Sequence, residues 1–322
     1  MSFESIRALV SEDLSATDRF ILSRLESSIP LIKQMAEYVL TCGGKRVRPI
    51  VLLLSARALN PDARQHVDLA AAVELIHTAT LLHDDVVDKS TLRRGHKTAN
   101  IIWGNDTSVL VGDFLYSRAF QIVVDQRQTE IINIFASSTH FITEGEIMQL
   151  TNCNNPDTTE QYYFDIIHRK TAKLFEVASQ FGAMLATNHE PQINALRDYG
   201  KHLGMAYQLI DDALDYAQSA EQTGKNVGQD LSEGKSTLPL IYAMQKSKGA
   251  DLQLLRNCIK NGSSNELENI LGIIESTDAI KYTSDTAKHH AQQARETLAL
   301  IPASPYRKAL EDLSDFVVER TY

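Results

Sequence analysis

One spacing, written twice, constrains this chain more than any other feature. The stretch ELIHTATLLHDDVVDKSTLRRGH, residues 74–96, ends an apolar run with Asp84, Asp85 and Asp88, and YQLIDDALDY repeats the pattern with Asp211, Asp212 and Asp215. If both stretches are helices, the first and last Asp of each copy fall on one face, with the middle one turned partly aside. Carboxylates stacked so closely repel and need a cation to keep them ionised. Mg²⁺ is the natural candidate, because it takes hard oxygen ligands and is held by a few carboxylates together with substrate phosphates. Arg93 and Arg94, just after the first copy, suit a phosphate oxygen better than a free metal.

The rest of the chain is consistent with a large helical protein. At 322 residues it exceeds the usual size of a single core, yet no linker composition interrupts it, so one domain over 1–322 is expected. Proline is scarce, at 8 residues, which suits long helices. A net charge of -9 disfavours a nucleic-acid partner, so local basic residues are read as site residues. Cys42, Cys153 and Cys258 are odd in number and far apart, which favours reduced thiols. No apolar run approaches the roughly 18 residues of a membrane span, and the N-terminal stretch has no signal-peptide core. A cytoplasmic protein is expected.

In chain order, residues 3–40 read as cover helices with breaks at SATDRF and SSIP. GGKRVRP, residues 43–49, makes a basic loop that Pro49 closes into the helix IVLLLSARAL. It is either a phosphate clamp at a helix N-terminus or a solvated turn. PDARQHVDLAAAVELIHTATLLHDDVVD reads as one long helix or two abutting ones, with Pro61 and Asp62 as the start signal. His77 lies seven residues before Asp84, on the same face, where it is either a core histidine or a site residue. KSTLRRGHKTAN reads as a polar loop, followed by the helices SVLVGDFLYSRAFQIVVD and TEIINIFASSTHFITEGEIMQL, the second with Glu146 and Gln149 near its end. FDIIHRKTAKLFEVASQFGAMLA sets Lys170 and Thr171 in an apolar pattern, and a buried lysine needs a partner that a phosphate would supply. Gln208 shares a face with Asp211, and Lys225 and Lys235 follow the second cluster as Arg93 and Arg94 follow the first. The remainder reads as amphipathic helices, with no strand-like alternation of useful length.

Two acidic helices with nearby cations could bind a diphosphate through metal and promote cleavage of its carbon–oxygen bond. Neither a Walker A sequence nor a G-x-G-x-x-G loop is present, which disfavours a kinase or nucleotide hydrolase. A metal buffer would not need Lys170, Gln208, Lys225 and Lys235 beside its acids.

The motifs GGKRVRP, LLHDDVVDKSTLRRG, KTA, YQLIDDALDY and GKNVGQDLSEGKSTLP together resemble the trans-polyprenyl diphosphate synthases, most closely the octaprenyl type, over nearly the whole chain. The resemblance implies an all-α isoprenoid synthase fold and a homodimer. It implies that Lys45, Arg48, His77 and Arg94 hold isopentenyl diphosphate, and that Arg93, Lys170, Thr171, Gln208, Lys225 and Lys235 contact an allylic diphosphate. Asp84, Asp88 and Asp211 would ligate Mg²⁺, and Asp85, Asp212 and Asp215 would assist through water or a neighbour. Asp84, Asp88, Asp211, Lys170 and Lys235 would carry the chemistry, in which the allylic group ionises, condenses with isopentenyl diphosphate and loses a proton.

Product length would be set along the first acidic helix, where Ala79, Thr80, Ile76 and Ala72 place no aromatic ring in the path. A long product is expected, octaprenyl diphosphate made from farnesyl diphosphate for a quinone side chain, with hand-over to a membrane enzyme. Phe135, with Val123 beside it, is either the floor of the path or ordinary core. A shorter-chain, geranylgeranyl-type synthase is the alternative. A class I terpene cyclase fits less well, because it would lack the clamp of GGKRVRP, His77 and Arg94.

Overall fold

The computed structural model describes residues 1–63, 66–217 and 227–319. Helices make up most of the described chain: α1 (Phe3–Ala8), α2 (Ser11–Arg24), α3 (Pro30–Thr41), α4 (Val47–Leu59), α5 (His66–Val87), α6 (Ala99–Trp103), α7 (Asn105–Asp125), α8 (Thr129–Asn152), α9 (Glu160–Ile167), α10 (Lys173–Ala186) and α11 (Glu190–Ala217). Helices Gln229–Ser232, Leu238–Lys246, Gly249–Asn261, Leu267–Ser276, Ala279–Thr297 and Pro305–Glu319 complete it. A π turn, His168–Ala172, joins α9 to α10. Strands β1 (Leu92–Arg93) and β2 (His96–Lys97) form an antiparallel ladder of two residues each.

The chain divides into two compact units. The first comprises Met1–Ser137, Leu174–Gly200 and Leu298–Leu313. Its axis is α5, against which α2, α4 and α7 pack. From Leu69 to Ile76 every residue of α5 is buried, and all but Glu74 are apolar, the pattern of a helix sheathed by neighbours. Beyond Ile76 a partly exposed stripe opens through His77, Thr80, Leu81, Asp84 and Asp88, so one helix supplies both the core and the rim where chemistry can occur.

The second unit comprises Ser138–Lys173, Lys201–Thr297 and Ser314–Tyr322. Tyr163, Ile167, Ala172, Met205, Leu209, Ile210, Leu238, Ile241 and Ala287 form an apolar cluster that fixes α11 just before its acidic segment. A further cluster around Leu240, Leu255, Ile259, Ile270 and Ile274 closes the unit's other helices.

Several boundaries differ from the sequence expectation, among them the start of α5 at His66 rather than near Pro61, and three have a plain physical reason. SATDRF does not break the first helices: α2 runs through it, because the Thr17 hydroxyl donates to the Asp13 carbonyl at 2.8 Å and is satisfied inside the helix. Helix α4 begins at Val47, two residues before Pro49, which then occupies a first-turn position where its missing N–H costs nothing. KSTLRRGHKTAN is a hairpin rather than an irregular loop, since Arg94 (φ 52°) and Gly95 (φ 78°) supply the two positive-φ residues of a tight turn whose twist matches the strands.

Candidate active site

The first acidic cluster ends α5. The Asp88 N–H donates to the Asp84 carbonyl at 2.8 Å, so the two partly exposed carboxylates lie one turn apart on the same side. Asp85 turns inward, is only 4% exposed, and accepts from Arg93 Nε and Nη2, each at 2.8 Å. Burial raises its pKa; Arg93 opposes that rise, and the neighbouring charges of Asp84 and Asp88 add to it. The Asp85 carbonyl also receives the Ser90 N–H at 2.9 Å and the Asn100 amide at 3.2 Å. Asp85 therefore fastens the hairpin to the end of α5.

The hairpin tip meets the basic loop, as Arg94 donates from Nη1 to the Gly43 carbonyl. Within that loop the three cations have different partners. Arg46, at φ 52°, is bound to Glu74 (2.5 Å), Asp18 (3.4 Å) and the Leu40 carbonyl (3.1 Å), which pins the loop to its own unit. Lys45 is exposed. Arg48 lies over the Phe175 ring, 4.4 Å from its centroid, with Nη1 at 3.2 Å from His77 Nε2. A guanidinium can only donate, so His77 Nε2 accepts and its proton sits on Nδ1. Burial, and then the charges of Arg48, Arg94, Arg93 and Arg46, push His77 well below the ordinary imidazole range and keep it neutral. Arg48 and His77 are thus in direct contact, and Arg94 rests on the loop that carries Lys45.

The second acidic cluster has other company. Asp211 is partly exposed. Asp212 is 3% exposed and accepts from Tyr163 Oη at 2.5 Å and Gln208 Nε2 at 2.7 Å, while Gln208 Oε1 accepts from Thr171 Oγ1 at 2.8 Å. Burial and the nearby Asp230 push the Asp212 carboxyl well up, and the two hydrogen bonds resist this. Asp215 caps the short helix after Gly228, accepting the Gln229 and Asp230 N–H groups at 3.3 and 3.1 Å.

Lys170 has partners within the protein: its Nζ donates to Glu146 at 2.6 Å and Gln149 at 2.8 Å. Lys235 Nζ similarly meets Glu233 at 2.6 Å. Lys170 and Thr171 sit in the π turn, a form of helix often found at functional positions. Gly145 allows the close approach this requires, since a Cβ there would stand 2.6 Å from Arg169 Cβ and 2.7 Å from the Lys170 nitrogen. Lys225 lies outside the described residues.

Along α5, Ala79, Ile76 and Ala72 are fully buried and Thr80 is partly exposed. Val123 is fully buried, and Phe135 packs between Phe120 (5.0 Å between centroids) and Phe181 (6.3 Å).

Among the described residues no group of three or more His, Cys, Asp or Glu side chains is gathered to hold a metal. The paired, partly exposed Asp84 and Asp88 nevertheless fit Mg²⁺, which binds through one or two carboxylates, water and substrate phosphates rather than a full protein cage. Tyr163, Arg46, Glu74, Gly145 and Glu233 were not recognised as site residues from sequence. Their partners lie on other helices or on a neighbouring turn, and no periodicity links them.

Such a helical scaffold, with repeated acidic helices and cations nearby, defines a class of diphosphate-processing enzymes. Residues 29–274 match the polyprenyl synthetase family model. The chain is 44% identical to octaprenyl diphosphate synthase of Haemophilus influenzae over 100% of its own length and 98% of that protein, and 43% identical to that of Escherichia coli over 99% of each. It superposes on a polyprenyl synthase from Caulobacter crescentus complexed with calcium and isoprenyl diphosphate (TM-score 0.94, 42% identity, 99% and 98% coverage). It also superposes on a decaprenyl diphosphate synthase from Rhodobacter capsulatus (TM-score 0.94, 40% identity, 98% of each chain). The chain belongs to the polyprenyl synthetase family, with the all-α isoprenoid synthase fold, and it is a trans-prenyltransferase.

Proposed function

We propose that this protein is a Mg²⁺-dependent long-chain synthase that adds isopentenyl diphosphate to an allylic diphosphate, with farnesyl diphosphate as primer and octaprenyl diphosphate, a quinone side-chain precursor, as product. The observation that carries the reading is the cationic set around a neutral histidine: Arg48 at 3.2 Å from His77 Nε2, and Arg94 on the loop bearing Lys45. A terpene cyclase, which handles one diphosphate, has no use for this second anion site. Octaprenyl diphosphate synthases that align over the full chain support the product length.

In this reading Lys45, Arg48, His77 and Arg94 hold isopentenyl diphosphate. Arg93, Lys170, Thr171, Gln208, Lys225 and Lys235 hold the allylic diphosphate. Asp84, Asp88 and Asp211 ligate Mg²⁺, with Asp85, Asp212 and Asp215 positioning the elements around them. The calcium in the Caulobacter relative supports a site for an oxygen-seeking divalent ion. Mg²⁺, when bound, supplies Lewis acidity to the allylic diphosphate. The lysines and Arg93 compensate charge on the departing diphosphate, and the clamp holds the isopentenyl double bond for attack on the allylic carbon whose C–O bond breaks. The adduct then loses a proton, which the released diphosphate can accept, leaving the trans double bond.

A homodimer fits the exposed apolar side chains of α6 and α7, Ile101 (49% exposed), Ile102 (43%), Val109 (38%) and Leu110 (67%). A cytoplasmic location fits the three free cysteines. Among the described residues no helix is long and apolar enough to cross a membrane.

The test is product analysis after incubation with farnesyl diphosphate, isopentenyl diphosphate and Mg²⁺. An octaprenyl product is expected, and Ala79→Tyr should shorten it toward the farnesyl or geranylgeranyl range. Cyclised hydrocarbon, or no condensation, would overturn the function. An unchanged product from active Ala79→Tyr enzyme would show that the tail does not follow α5.

A further inference from the structure

Tyr163 has no role in the reaction as described above, yet it ends a continuous chain of hydrogen bonds that leads to residues placed at the allylic diphosphate. Its side chain is 3% exposed and lies in the apolar cluster with Ile167, Leu209 and Ile210. From that setting Oη donates to Asp212 Oδ2 at 2.5 Å. The other carboxylate oxygen, Oδ1, accepts from Gln208 Nε2 at 2.7 Å, and Gln208 Oε1 accepts from Thr171 Oγ1 at 2.8 Å.

The direction of every link follows from donor chemistry. Gln208 Nε2 can only donate and its Oε1 can only accept, so the amide turns its NH₂ toward Asp212 and its carbonyl toward the Thr171 hydroxyl, and the Tyr163 hydroxyl donates to the other oxygen of Asp212. The carboxylate has its two oxygens engaged on opposite sides, and this fixes its rotation. Without the phenol hydroxyl, Oδ2 would be a buried acceptor lacking its donor, and the carboxylate would rotate to share Gln208 or admit water. Either change releases the amide orientation that holds Thr171. The chain links Tyr163 on α9 to Asp212 and Gln208 on α11 and to Thr171 in the π turn, four residues that all lie within the second unit.

We propose that Tyr163 is a positioning residue for the allylic diphosphate, acting through Asp212 and Gln208 on Thr171. The inference rests on the proposed assignment of Gln208 and Thr171 to that substrate.

Tyr163→Phe keeps the ring and removes only the hydroxyl. Its expected signature is a weakening of roughly three- to tenfold in binding of a thiolo-diphosphate analogue of the allylic primer that resists ionisation, together with a rise in allylic KM. The KM for isopentenyl diphosphate should stay within twofold of wild type. Combined with Gln208→Met, the effects should be less than additive, since both substitutions cut the same chain. If wild type fails to bind the analogue, the assignment of the allylic site falls. If wild type binds it and folded Tyr163→Phe binds equally well, or if both substrates weaken alike, the assignment stands and the positioning role is overturned. Should Tyr163→Phe not fold, 3-fluorotyrosine at position 163 retains the hydroxyl and gives a ¹⁹F resonance. That resonance should move with the allylic analogue and not with isopentenyl diphosphate, and the absence of any such difference would likewise overturn the proposal.

Discussion

The two acidic clusters share a spacing and differ in what secures the middle carboxylate. Asp85 is met by a full positive charge, with Arg93 Nε and Nη2 each at 2.8 Å, whereas Asp212 is met by two neutral donors, Tyr163 and Gln208. Burial raises the pKa of both. In the first cluster the carboxylate fastens a hairpin that carries Arg94; in the second it orders Gln208 and, through it, Thr171. A repeated motif therefore preserves its outer acids in one geometric relation while the middle acid is adapted to whatever must be held nearby. The last acids differ as well, since Asp88 remains at a partly exposed helix end and Asp215 caps a backbone turn.

The strongest way to break this comparison is to remove one outer acid from each copy. Asp84→Ala and Asp211→Ala should each lower kcat by roughly a hundredfold or more with the fold intact by circular dichroism. If both serve one reaction, the double variant should lose far less than the product of the two effects. Near-normal turnover of either single variant at saturating Mg²⁺ would show that the two copies are not equivalent in function.

A smaller effect separates the cations. Arg48→Ala should raise the KM for isopentenyl diphosphate, and Lys235→Ala should mainly impair the allylic substrate. A charge-assisted hydrogen bond is worth about 1.5–3 kcal/mol, which corresponds to tenfold or more. Equal effects on both substrates would merge the two proposed sites into one.

Smaller again is Glu74→Gln. It removes the closer of the two carboxylates on Arg46, leaving Asp18 at 3.4 Å, and loosens the loop holding Lys45 and Arg48 without touching either. The isopentenyl KM should rise severalfold while the allylic KM holds, and steady-state kinetics with each substrate varied would read the difference. A loss of melting temperature with both KM values unchanged would make the Arg46–Glu74 pair a fold element only.

The weakest effect is on acid stability. His77 and His290 both titrate below the ordinary imidazole value, His77 through burial and the surrounding arginines, His290 through burial and the neighbouring His202, which take it to about 4. A depressed folded pKa means that the unfolded chain binds the proton first, so the stability contributed by neutral imidazole is complete above about pH 6.5 and is lost as pH falls through the folded value. Melting temperature followed from pH 8 to 4 should therefore fall less steeply in His77→Gln or His290→Gln than in wild type. Identical slopes would show that these rings do not contribute.

Periodicity made the long elements legible from sequence. Helices α5, α7, α8 and α11 follow from apolar spacing, and the outer acids of both clusters follow from the same arithmetic. Contacts across sequence were not legible in this way. Lys170 meets Glu146 and Gln149, more than twenty positions earlier, and Tyr163 reaches Asp212 across an even longer interval. The hairpin at Arg93 escaped because two residues per strand give no alternation, although Arg94-Gly95 is a turn signal in retrospect. SATDRF was misleading for a local reason: side chains that can end a helix can also bond back within one, as Thr17 does.

Gly145 sets helix propensity against packing. A glycine inside a helix costs about 1 kcal/mol relative to alanine, so helix propensity alone would favour replacing it. The added methyl would enter space 2.6 Å from Arg169 Cβ and 2.7 Å from the Lys170 nitrogen, and it could be accommodated only by moving the turn that presents Lys170 and Thr171. A side chain at this position would disturb both the packing of the helix and the turn, so a lineage under thermal pressure would have to find its stability elsewhere.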